Sequence, residues 1–155
     1  MSTMQAKDTL SGKQATCYIT IDGNRYTLAQ AKNVDATYEK NKTEVAILGK
    51  MNSGNRSTGG KGSGSCTMYY NTSILRKAME HYKDTGEDFY FDMQVTNEDS
   101  TSSVGRQTTI LKDCNLDSIK VAYFNVEDEV LEEDINFTFE DWTIPESFNN
   151  IEAMN

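Results

Sequence analysis

One histidine, His81, is the first side chain in this sequence that could act as a general base or bind a metal ion. It lies within a helical pattern, and no second histidine or cysteine stands at ligand spacing from it. A Ser-His-Asp hydrolase built on a nucleophile elbow would need the pattern Gly-x-Ser-x-Gly. The nearest segment, Gly62-Ser-Gly-Ser-Cys66, has Gly64 where the serine should stand. The sequence therefore predicts that His81 is a partly exposed helix residue without a catalytic role.

A glycine-rich segment over residues 49–64 invites comparison with the loops that cradle phosphate in their backbone amides. Gly54 and Gly59 have P-loop spacing, but Gly60 occupies the lysine position and Lys61 the hydroxyl position. A strand pattern follows, so the helix N-terminus that should face the phosphate is missing. This combination argues against nucleotide binding. The glycine content predicts instead a long flexible loop or an extended hairpin tip.

Six carboxylates lie close together between Glu127 and Asp134. A calcium loop would need Asp-x-Asp-x-Asp-Gly ending in a bidentate glutamate, and that pattern is missing. Neighbouring carboxylates in a strand point to opposite faces, which scatters possible ligands. The run is therefore interpreted as an acidic surface. No catalytic residue, cofactor or metal is predicted.

The elements that must position these residues are mostly strands. Cys17, Ile19 and Ile21 alternate with polar residues, and Asp22-Gly23 directly after them predicts a hairpin. Further strands are predicted at residues 25–28, 34–48 (as one strand or two), 65–70, 89–96, 107–116, 118–124 and 135–139, the last ending before Pro145. Cys17 and Cys114 fall in strand-like runs, which predicts small core residues with free thiols.

Apolar residues recur at helical spacing between Ile74 and Tyr82 and predict one helix. Asn71 or Thr72 is expected to cap it, and Gly86 is expected to end it. About seven strands with one helix, and no regular βα alternation, predict an antiparallel β-sandwich or barrel with a flanking α-helix. We expect a flexible N-terminal arm over residues 1–13 and one domain over residues 14–155.

The charge balance limits the classes of partner. The chain of 155 residues has a net charge of −9, whereas a protein that grips nucleic acid through phosphates needs a basic surface. The imbalance lies at the C-terminal end, because residues 126–155 contain ten acidic and no basic side chains. No run reaches the roughly 20 apolar residues of a membrane span. Sequence-specific nucleic-acid binding and membrane insertion are therefore not expected.

Charge segregation within the chain suggests self-association. A long structureless loop in a compact domain usually has a function, and the charged residues of this glycine-rich segment are all basic. Their attraction to acidic residues on a neighbouring copy would set register between subunits. The candidate subunit contacts are Lys50, Arg56, Lys61, Glu132, Glu133 and Asp134.

Several motifs resemble the tail tube proteins of contractile tails in PBSX-like prophages, related phages and phage-tail-like bacteriocins. They are Asp8-Thr-Leu-Ser-Gly12, Tyr38-Glu-Lys-Asn-Lys-Thr-Glu-Val45, the segment 49–64, Tyr70-Asn-Thr-Ser73, Leu131-Glu-Glu-Asp-Ile-Asn-Phe-Thr-Phe-Glu-Asp141 and Pro145-Glu146. The combination of loop, helix opening and C-terminal motif makes the resemblance specific. The family often has a proline where Asn136 stands here.

The resemblance implies a non-enzymatic subunit that forms hexameric rings stacked into a hollow tube. That tube would lie inside a contractile sheath and conduct DNA or ions through an electronegative lumen. Its expected partners are further copies of itself, the sheath protein, and baseplate and terminator proteins. The particle would be a virion tail or a bacteriocin assembled in the bacterial cytoplasm. The alternatives are a tube protein of a related injection or secretion system, and a ligand- or calcium-binding β-sandwich.

Overall fold

The computed structural model describes residues 5–11, 15–28 and 31–149. A 3-10 helix (Ala6–Asp8) precedes the strands, and one α-helix, α1, spans Ile74–Thr85. The eight strands are β1 (Ala15–Ile21), β2 (Asn24–Thr27), β3 (Ala31–Val45), β4 (Gly54–Tyr69), β5 (Phe91–Glu98), β6 (Arg106–Ser118), β7 (Glu132–Phe139) and β8 (Asp141–Glu146).

All the strand pairs are antiparallel, and they follow the order β2-β1-β5-β6-β7-β4-β3, with β8 also paired to β6. The strand β6 belongs to both halves, because its first part pairs with β5 and β8 whereas Asn115–Ser118 pairs with β7. Asp113, at a positive φ of 54°, lies between the two parts, where the register between β5 and β6 is irregular. The result is a mainly antiparallel β fold with one helix, as predicted.

One core fills the space between the two halves. Cys17, Ile19 and Ile21 of β1 are buried, and so are all three cysteines of the chain, as predicted for Cys17 and Cys114. The rings of Phe91 on β5 and Phe137 on β7 meet edge to face, with their centroids 6.3 Å apart.

The local turn chemistry follows the sequence. Asp22 and Gly23 both have positive φ, at 49° and 80°, in the tight turn that the dipeptide predicts between β1 and β2. Gly86 ends α1 in the left-handed conformation with its N–H bonded to the carbonyl of Tyr82. The predicted N-cap is wrong by one or two positions, since Ser73 occupies it and makes no side-chain cap bond.

The glycine-rich segment was predicted to be a long flexible loop or an extended hairpin tip, and it forms the end of an extended hairpin. Residues 54–64 are the first part of β4 and pair with β3, and residues 46–53 connect the two strands. The cause of this strand structure is aromatic packing against bare backbone. Side chains at Gly60, Gly62 and Gly64 would overlap the rings of Tyr38, Phe139 and Phe137, respectively. These glycines are strand positions that receive rings from neighbouring strands.

One strand prediction is wrong, and one strand was not predicted. Residues 118–124 were predicted to be a strand, but β6 ends at Ser118 and residues 119–131 form no strand. None of the described strands pairs with this segment. Residues 141–146 form β8, an unpredicted strand that contains Pro145. Proline is tolerated because β6 is the only described strand that pairs with β8, and Pro145 lies at a shift in that register.

Of the predicted N-terminal arm, the structure describes residues 5–11. The backbone N–H of Ser11 donates to Oδ2 of Asp99 at 2.9 Å. Asp99 also accepts bonds from the N–H and hydroxyl of Thr101. This buried carboxylate thus joins the N-terminal segment to the β5–β6 connection. The flexibility of the arm stays a prediction.

Candidate assembly surfaces

The strands β3 and β4 extend beyond the end of β7 and form a two-stranded ribbon that projects from the sheet. The strand β4 pairs with β7 only over Gly62–Tyr69, whereas its pairing with β3 continues out to Gly54 opposite Val45. Residues 39–53 are all exposed. An isolated pair of strands is marginally stable in water. This ribbon (residues 39–61) is therefore a candidate surface for contact with a partner.

The three basic candidate contacts all lie on the ribbon and are exposed. Lys61 is directly opposite Glu39, and Arg56 is opposite Thr43, so both side chains project from the face away from the core. Lys50 lies in the connection between the strands. The ribbon has five basic and two acidic side chains in an otherwise acidic protein. The ribbon is therefore a region of local positive charge.

The three acidic candidates are separated by the alternation of β7. Glu132 is partly exposed and forms an ion pair with Lys32 at 2.7 Å. Asp134 is exposed and accepts a bond from the hydroxyl of Thr67 at 2.6 Å. Glu133 points inward instead. It is 3 % exposed, and its carboxylate lies 2.6 Å from the guanidinium of Arg76 on α1.

Glu133 therefore anchors the helix to the sheet and is removed from the set of candidate contacts. The guanidinium of Arg76 lies over the ring of Tyr70, with its central carbon 4.3 Å from the ring centroid, and also donates to the carbonyl of Thr72. These contacts fix the start of α1 against β7.

A wide polar face covers the outer side of β3, β4 and β7. Their register places short side chains on it: Asn33, Asp35, Thr37, Ser63, Ser65, Thr67, Asp134, Asn136 and Thr138. Asp117 of β6 lies in the same shallow depression as Asp35 and Ser63. The side chains named for this polar face are carboxylates, hydroxyls and amides, whereas Lys61 and Arg56 lie further along the same face on the ribbon. Sequence reasoning missed it because the strand pairing that assembles it was unknown.

The groups with reactive chemistry are not gathered into a site in the described part of the chain. His81 is exposed on α1, as predicted, with its imidazole 3.8 Å from the carboxylate of Glu87. Burial raises the pKa of Cys17 and of Cys114 to about 12, and that of Cys66 to about 11. Among residues 5–11, 15–28 and 31–149, no three potential metal ligands cluster. No helix that the structure describes is long and apolar enough to cross a membrane.

The comparisons with known proteins agree with this architecture. A family model described as "Phage tail tube protein" matches residues 2–146. The "Phage-like element PBSX protein XkdM" of Bacillus subtilis (strain 168) is 38 % identical over 147 residues, which are 95 % of this chain and 97 % of that protein.

Two solved structures show the same fold at low sequence identity. A chain of the anti-feeding prophage baseplate has a TM-score of 0.65 at 12 % identity, covering 93 % of this chain and 97 % of its own. The SPP1 tail tube has a TM-score of 0.63 at 13 % identity, covering 94 % and 83 %. The family match and the relative together show that the chain belongs to the phage tail tube protein family, whose members are structural subunits of tail tubes.

Proposed function

We propose that the chain forms hexameric rings and that these rings stack into the hollow inner tube of a contractile phage tail or a phage-tail-like bacteriocin. The main observation behind this proposal is that the two outermost strands of the sheet order, β2 and β3, each have one edge without a described partner strand. The strand β2 pairs only with β1, and the 15-residue β3 pairs only with β4, among the strands that the structure describes. Free edges are templates for pairing with another chain. Repeated head-to-tail contacts of this kind close into a ring.

Electron microscopy of the purified chain at high concentration tests ring formation. We expect rings with six-fold symmetry or long hollow tubes in negative stain. Sedimentation at the same concentrations should show species much larger than the 17.4 kDa chain. A monomer at every concentration would contradict the proposal.

Within such a tube we assign the polar face to the lumen. Its short side chains and the carboxylates Asp35, Asp117 and Asp134 would repel the phosphates of passing DNA. The same wall would conduct cations in a particle without DNA. The opposite face of these strands is occupied by core residues such as Cys66 and Phe137, so only the polar face can line a channel.

Charge reversal in the lumen tests this assignment. Tubes of an Asp35→Lys, Asp117→Lys variant should retain short double-stranded DNA at low salt and release it as salt rises. Tubes of the unmodified chain should not retain it. The matched control is Asp84→Lys, Glu87→Lys at two exposed residues on and just after α1. Equal DNA retention by both double variants would contradict the lumen assignment.

The ribbon is proposed to contact the neighbouring subunit through its basic residues, with Glu132 and Asp134 as acidic partners. A charge swap tests the contact. Lys61→Glu should weaken assembly, and Glu132→Lys or Asp134→Lys in the same chain should restore it. Lys7→Glu, at an exposed residue of the 3-10 helix outside the ribbon, is the control and should assemble normally. Failure of both swaps to rescue Lys61→Glu would remove this pairing.

The sheath, baseplate and terminator proteins are proposed as further partners. Similar folds occur in structures described as a sheath–tube complex and as a tube-terminating cap. A tube protein of a related injection system is the alternative. Purification of the native particle distinguishes a phage from a bacteriocin or an injection system, since only a phage has a DNA-filled head. Assembly is proposed to take place in the bacterial cytoplasm.

A further inference from the structure

The end of the ribbon is an apolar cluster that the described residues of the chain leave uncovered. Leu48 and Met51 are fully exposed, at 103 % and 102 %, and the neighbouring Ile47 is 41 % exposed. Large apolar side chains at the end of a projecting hairpin are costly to leave in water. We refer to Ile47, Leu48 and Met51 as the apolar tip.

A second apolar surface lies elsewhere on the molecule. A groove of about 770 Å³ separates α1 from the segment that follows β6. Met79 and Tyr82 line it from the helix, and Ile119 and Val121 line it from the segment. Val121 is 84 % exposed and the nearby Phe124 is 81 % exposed. The groove is thus open and unfilled by the described residues of its own chain. Charged side chains line it as well: Arg76, Lys77, Glu80 and Lys83.

An acidic turn lies beside this groove. Tyr70 lines the groove, and its ring packs edge to face on Tyr123 with the centroids 6.0 Å apart. The hydroxyl of Tyr123 donates to Asp128 at 2.6 Å, between Glu127 and Glu129. The turn therefore holds three carboxylates next to an apolar groove. The apolar tip has the complementary arrangement, because Lys50 lies between Leu48 and Met51.

We propose that the apolar tip of one subunit docks in the groove between α1 and residues 119–121 of a second copy, with Lys50 facing the acidic turn. This inference rests on the proposed tube function. It identifies the groove as the surface that binds the end of the ribbon of a neighbouring subunit. The two surfaces are different parts of one chain, so the contact is head-to-tail and each subunit can give one tip and accept another. Such a contact extends along a tube without limit.

Disulfide trapping between two variants, each with one added cysteine, tests this docking. A Met51→Cys chain is mixed with a Val121→Cys chain under assembly conditions and then oxidised. The native cysteines are buried and contribute little background. We expect covalent dimers in the mixture and none with either variant alone. The matched control mixes Met51→Cys with Glu140→Cys, which places an exposed thiol at the β7–β8 turn outside the groove.

The outcomes separate this inference from the proposed function. Rings or tubes that form without covalent dimers between the Met51→Cys and Val121→Cys chains, or with as many dimers in the control mixture, would overturn the docking and leave the tube function standing. Dimers of the Met51→Cys variant with itself would show tip-to-tip contact and would also overturn it. A chain that stays monomeric in every mixture would contradict both.

A charge variant adds a readout that does not depend on trapping. Leu48→Asp, Met51→Asp should lower the fraction of chain in pelleted tubes at least tenfold, while the circular dichroism spectrum of the domain stays unchanged because both residues are exposed. Added in small amounts to the unmodified chain, it retains an intact groove and should shorten tubes by capping them. Normal tube yield from the double variant would overturn the docking.

Discussion

The ring of Phe139 on β7 lies against the bare backbone of Gly62, its register partner on β4. A Cβ atom at Gly62 would overlap that ring, and the same holds at Gly64 for Phe137. The glycines that look like a flexible linker in the sequence are therefore packed strand residues. Their lack of a side chain is the property that the fold uses.

Replacing Gly62 by alanine should destabilise the domain. The added methyl group forces Phe139 to move in a buried position, and overpacking of this kind costs about 1–3 kcal/mol. Urea unfolding followed by circular dichroism measures the change. Ser63→Ala, one position along β4 on the exposed polar face, should cost far less. In a Phe139→Ala background the cost of Gly62→Ala should fall, since the clash is gone. An unchanged cost there would contradict the packing argument.

Removing Glu133 should destabilise the attachment of α1. Glu133→Ala leaves the guanidinium of Arg76, whose side chain is 15 % exposed, without its carboxylate. Breaking one side of a buried ion pair costs about 3 kcal/mol or more. The free energy of unfolding from urea titration measures this loss.

The matched control for that experiment is the neighbouring residue. Glu132→Ala breaks a pair with Lys32 whose side chains are both about two-fifths exposed. Surface pairs contribute roughly 0–1 kcal/mol, so this variant should be close to the unmodified chain. Equal losses for Glu132→Ala and Glu133→Ala would show that the inward carboxylate has no special role.

Acid should loosen the N-terminal segment through Asp99. Hydrogen bonds from the Thr101 hydroxyl, the Thr101 N–H and the Ser11 N–H hold the pKa of Asp99 below its ordinary value. A depressed folded pKa gives a stabilising contribution that is present above about pH 3.9 and is lost as the pH falls through the folded value. The protection factor of the Ser11 amide, which is corrected for the intrinsic pH dependence of exchange, should therefore decrease below that pH.

Two variants check the cause of this acid response. Asp99→Asn should remove the pH step, and Thr101→Val should move the step toward higher pH by deleting the first donor. Melting temperatures measured between pH 3 and pH 7 give the profiles. An identical profile for all three chains would exclude Asp99 as the titrating group.

The three thiols should be inert in the folded domain. Burial is the main reason that the pKa values of Cys17, Cys66 and Cys114 are raised to about 12, 11 and 12, so the reactive thiolate is scarce at neutral pH. A chromogenic disulfide reagent should label none of them in buffer and all three in concentrated urea. Rapid labelling of one thiol without denaturant would contradict its placement in the core.

The sequence by itself determined the features that depend on local pattern. The alternation of Cys17, Ile19 and Ile21, the Asp22-Gly23 turn and the helix ended by Gly86 are all confirmed. So are the β fold class and the family. Periodicity and turn chemistry are local properties, and each needs only a few neighbouring residues to be read.

The tertiary structure alone decided which residues have partners. Gly60, Gly62 and Gly64 carry no side chain, so no periodicity reveals that aromatic rings from other strands pack against them. The apolar alternation around Val121 resembles a strand, but no described strand pairs with it. Among adjacent acidic residues of β7, only the tertiary structure shows that Glu133 meets Arg76 while Glu132 stays at the surface. Pairing across long sequence separations set these outcomes, because it is a property of the folded chain that local sequence does not encode.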